Sequence, residues 1–84
     1  MDKQTILQKF DNYILLSFSD NKEDTLESLR DYWDINEYLT AEERMLLSVA
    51  KVKVSSEYSK ELREQFDKLS KAIRLDLEKR LSNQ

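Results

Sequence analysis

At 84 residues the chain is sized for one small domain with one core, at a length where folding buries only about 60–65% of the unfolded surface. Hydrophobic residues (39%) and charged residues (37%) are balanced and the net charge is −3, which fits a folded, water-soluble helical protein better than a disordered tail. Gly, Pro, Cys and His are all absent, which removes tight hairpin turns, disulfides, thiolate nucleophiles, Cys-based metal sites and imidazole bases together. The expected class is all-α, a single domain over residues 1–84 built as a small three- or four-helix bundle.

The first helix is expected over residues 3–18, because Ile6, Leu7, Phe10, Tyr13, Ile14 and Phe18 fall at three-and-four spacing on one face. Leu15 and Leu16 lie off that stripe, so the end of this helix is expected to be covered on more than one side. "SFSDNKED" is then the one cluster of turn and cap residues in this half, with Asp20 or Asn21 placed to cap a second helix. That helix should run over 22–36 with Leu26, Leu29 and Trp33 facing inward. Thr40 followed by Glu43 is a capping box and marks the next start.

From Ala41 nothing obvious stops the helix before "LSNQ", and some 40 residues would make a rod of about 60 Å, too long for a compact monomer. A break is expected near "KVKVSSEYS", where β-branched Val49, Val52 and Val54 precede Ser55 and Ser56, two credible N-caps. The alternative is a projecting half that pairs with another chain. The last segment carries Tyr58, Leu62, Phe66, Leu69, Ile73, Leu77 and Leu81 along one stripe, with Leu75 off it. Glu64 to Lys68, Asp67 to Lys71 and Asp76 to Arg80 stand in the favourable i, i+4 order on the other side.

Catalysis is hard to build from this inventory, and the expectation is a non-enzymatic protein without cofactor. "DNKEDTLE" has an outline of a calcium loop, but it lacks the Gly at the sixth position and sets Lys22 at the third ligand. The apolar run near the N-terminus is interrupted by charges and falls far short of a signal core or a membrane span, so the default location is cytoplasmic.

Charge placement is the feature that stands out. Asp24, Glu27, Asp31 and Asp34 step by three and four along the second helix, with Glu23 and Glu37 at the margins and Arg30 as the nearby cation. Three readings of this stripe are open. It is a solvated face; or it receives the basic face of Lys53, Lys60, Arg63, Lys71 and Arg74 from the same or a second chain; or it docks a basic partner protein, with Tyr32 and Tyr38 as outward aromatics. On the third reading Asp24, Glu27, Asp31, Tyr32, Asp34, Glu37 and Tyr38 form the site of a small regulatory, inhibitory or immunity-type protein, while Trp33 belongs to the core. Local mimicry of nucleic acid is a variant of it. Direct DNA or RNA binding is not expected, since Glu64, Asp67 and Glu78 interleave with the basic face. A homodimer through the C-terminal helix is the structural alternative.

The segments "TILQKF", "TLESLRDYW" and "YLTAEE" resemble the opening helices of the Hha-type small helical modulators, over roughly residues 5–58. The resemblance implies a protein that binds a nucleoid protein rather than DNA itself. It needs an insertion around "NYILLSFSDN", and "VAKVKVSSEYS" departs from the basic, His-containing segment of that family, so no functional residue carries over.

Overall fold

Each helix begins where a side chain can take a free backbone amide. Asp2 accepts from the Thr5 amide at 2.8 Å, Asn21 from Glu23 at 2.8 Å, Thr40 from Glu43 at 3.0 Å and Ser59 from Leu62 at 3.1 Å. The computed structural model, which describes residues 1–83, accordingly has four helices: α1 (Lys3–Leu16), α2 (Lys22–Ile35), α3 (Ala41–Glu57) and α4 (Lys60–Ser82). A short 3-10 turn, Asn36–Tyr38, joins α2 to α3, and no strand occurs among the described residues. The all-α class is therefore the observed one, and the bundle has four helices.

The capping box at Thr40 is complete, with the Glu43 carboxylate returning to the Thr40 amide at 2.9 Å. The expected break falls inside "KVKVSSEYS", but Ser59 caps α4 in place of Ser55 or Ser56. Tyr58 makes the turn in the left-handed region (φ 41°), its amide donating to the Val54 carbonyl at 2.8 Å. With no Gly available, the chain spends a Tyr on a conformation that costs a non-Gly residue roughly 1–2 kcal/mol. Val54 is buried, and the fixed carbonyl gives the turn its anchor.

The core gathers Ile6, Leu7, Phe10 and Tyr13 from α1, Leu47 and Val54 from α3, and Phe66, Ile73 and Leu77 from α4. Ile35 and Leu39 join it at the end of α2 and after it. The α4 stripe packs inside the same chain, with Leu62, Leu69 and Leu81 at its edges, while Leu75 stays exposed. α4 is about 35 Å long at 1.5 Å per residue and sets the 39 Å long dimension. None of the three expected i, i+4 pairs forms among the described residues; α4 instead pairs Arg63 with Asp67 and Arg74 with Glu78.

Two expectations about the first two helices are corrected. α1 ends at Leu16, short of residue 18, and although α2 and α4 both pack on it and Leu16 is half-buried, Leu15 stands exposed. More consequentially, Leu26, Leu29 and Trp33 do not face inward: they are 47%, 49% and 77% exposed. α2 turns Ser28, Tyr32 and Ile35 toward the core in their place. The reason lies in α1. The small Ser28 side chain allows close approach, and its hydroxyl donates to the Tyr13 carbonyl at 2.9 Å, an acceptor shared with the Ser17 hydroxyl at 2.6 Å. The Tyr32 ring then covers Tyr13 with centroids 4.8 Å apart.

Candidate functional site

A short loop makes α1 and α2 antiparallel neighbours, and their shared edge is polar. From α1, Lys9 and Asn12 reach across to α2. Lys9 Nζ lies 2.7 Å from Asp34 and 3.7 Å from Asp31, while the Asn12 amide donates to Asp31 and, at 3.1 Å, to Glu27. The hydrogen bond to Asp34 holds the Lys9 ammonium above its ordinary range. At the loop end, the Ser19 hydroxyl donates to Asp24 at 2.9 Å.

The acidic stripe is therefore mostly the α2 side of an intramolecular edge. Asp24, Glu27, Asp31 and Asp34 each have a partner within the chain, and the cation that compensates them comes from α1, not from the basic face of α4. Of that basic face, Arg74 is directed to Asp11 of α1, at 2.6 and 3.0 Å, which raises its pKa. Tyr32 is half-buried on Tyr13, not an outward aromatic. Tyr38 is half-buried as well, packed against the core, with its carbonyl accepting from Arg80 at 3.2 Å. Glu27 and Glu37 are the exposed members of the seven that form no salt bridge among the described residues, and Glu27 accepts a hydrogen bond from Asn12.

Arg80 also grips Glu43, at 2.6 and 3.0 Å, and so clamps the end of α4 to the start of α3. Burial by itself would raise the Glu43 pKa; the hydrogen bonds from Arg80 and the Thr40 amide outweigh it and hold the carboxyl below 4.5. Lys51, half-buried 5.5 Å above the Tyr13 ring, has its pKa lowered by burial, and burial pushes the Tyr13 phenol up to about 12. These groups are held by contacts within the fold. Among the described residues no group of three or more carboxylates is placed to hold a metal ion, and no helix is long and apolar enough to cross a membrane.

What remains available is the outer face of α2. Leu26, Leu29 and Trp33 run along it at three-and-four spacing, beside exposed Lys22, Arg30 and Glu37, none of which forms a salt bridge among the described residues. A second exposed stripe, Met45, Val49 and Val52, follows α3. The signal for this arrangement was in the sequence as a second, less hydrophobic stripe on α2, Ser28, Tyr32, Ile35 and then Leu39, competing with the first for the core. No family model, curated protein or solved structure matches the chain, so the resemblance to Hha-type modulators rests on the quoted segments alone.

Proposed function

We propose that the chain is a small non-enzymatic protein-interaction module whose working surface is the outer face of α2. The observation that carries this reading is Trp33, 77% exposed and in line with two half-exposed leucines at helical spacing. Scattered exposed apolar residues are ordinary, but an aligned set with an indole at one end forms a contiguous patch of the kind that marks interaction sites, and Trp is enriched among residues that dominate binding energy. Lys22, Arg30 and Glu37 supply a polar rim. The carboxylates first assigned to a basic partner lie on the α1 side instead, where Asp31 and Asp34 pair with Lys9.

The test is site-specific photo-crosslinking in cells. A photoreactive residue replacing Arg30 is expected to give discrete protein adducts, and one replacing the exposed Lys68 on α4 is expected to give none. Adducts from position 68 without any from position 30 would move the working surface off α2.

A further inference from the structure

The outer face of α2 is complementary to itself when turned end for end. Lys22 opens α2 and Glu37 lies in the 3-10 turn just past its other end, with Leu26, Leu29, Arg30 and Trp33 between them, all exposed. An antiparallel second copy related by a two-fold axis passing between positions 29 and 30 sets Lys22 against Glu37 of the second copy. The same axis sets Leu26 against Trp33 and Leu29 against Arg30, and each of these facing pairs is then made twice. A parallel arrangement would instead bring Lys22 onto Lys22 and Glu37 onto Glu37.

We propose that α2 docks antiparallel against α2 of a second copy of this chain, with Trp33 over Leu26 and Lys22 against Glu37 on both sides of the axis. This rests on the reading of the α2 outer face as the working surface, and it names the occupant. Three physical features favour it. The indole and the leucines leave water together. The end charges are opposite and form no salt bridge among the described residues. Antiparallel packing also sets each positive helix N-terminus beside a negative C-terminus. The contact is isologous and closes on itself, so it stops at a dimer. One helix face against another buries less than the roughly 800 Å² per partner of a standard interface, so the dimer dissociates on dilution.

Sedimentation equilibrium of the purified full chain from micromolar to millimolar concentration tests this directly. The parent should show a monomer–dimer equilibrium, and Trp33→Ser should be monomeric throughout with its helical circular dichroism unchanged. Lys22→Glu and Glu37→Lys should each weaken dimerisation about tenfold, and the two together should return it to within about twofold of the parent. A parent that stays monomeric, a dimer indifferent to Trp33→Ser, or a double variant that does not recover overturns the proposal. If the parent is monomeric yet position 30 cross-links to another protein, self-docking fails and the reading of the α2 face survives; if position 30 gives no adduct at all, both fail.

Discussion

The two flanks of α2 differ in a way that inverts what residue type suggests. On the flank facing α1, four carboxylates are engaged by Lys9, Asn12 and Ser19. On the outer flank, Leu26, Leu29 and Trp33 stand in water with Lys22, Arg30 and Glu37. A charge stripe that reads as solvated is structural, and an apolar stripe that reads as core is surface. Burial follows fit to the neighbouring helix: a small Ser28 with a hydroxyl to give to α1, and an Ile35 that fills the core, outweigh the greater hydrophobicity of the opposite side.

The sharpest way to break this comparison is truncation on each side. Ile35→Ala removes a fully buried side chain and should cost about 2–4 kcal/mol in urea unfolding. Leu26→Ala, on the outer flank, should stay within about 0.5 kcal/mol in dilute solution. Equal losses at the two positions would mean that α2 is rotated differently.

Next in size is the clamp between α4 and α3. Arg80→Met leaves the mostly buried Glu43 with only its Thr40 contact and should cost about 1–2 kcal/mol at neutral pH. Because the folded Glu43 pKa lies below 4.5, the unfolded chain takes up the proton first. The stabilisation from this carboxylate is thus complete above that pH and is lost as the pH falls through the folded value. The stability gap between parent and Arg80→Met should therefore narrow in acid, which denaturant titrations at neutral and acid pH would show.

A gain of about 1 kcal/mol is expected from Tyr58→Gly, since the ring is exposed and Gly occupies the left-handed region without a Cβ clash. A lower melting temperature would mean that the Tyr58 side chain contributes contacts that outweigh its backbone cost. The smallest effect belongs to Asp34→Asn at the exposed edge of the α1 contact. Its destabilisation should be slight at low salt and should fade as salt is added, because Lys9 and Asp34 are both open to solvent.

Much of the fold was legible because it is written locally. Asn21, Thr40 and Glu43 carry their capping role in residue type and spacing, and the α4 stripe repeats often enough to allow only one buried side. The turn at Tyr58 was legible as a region and not as a residue, since nothing about a Tyr announces positive φ. The rotation of α2 was legible only as two competing stripes, with nothing in α2 itself to choose between them. It depends on which α1 residues lie opposite, and Ser28 donating to the Tyr13 carbonyl is a contact across 15 positions that no property of α2 alone encodes. For the same reason Tyr32 and Tyr38 were assigned to the surface and Trp33 to the core, the reverse of their observed places.

The most direct measurement is fluorescence of the chain's single Trp in the folded protein, with acrylamide quenching, as a function of protein concentration. The account predicts red-shifted emission and ready quenching at low concentration, as for an indole in water. Both should shift toward shielding as the chain is concentrated and α2 meets its second copy. Blue-shifted, quencher-resistant emission at the lowest concentration, where only monomer is present, would contradict it and return Trp33 to the core.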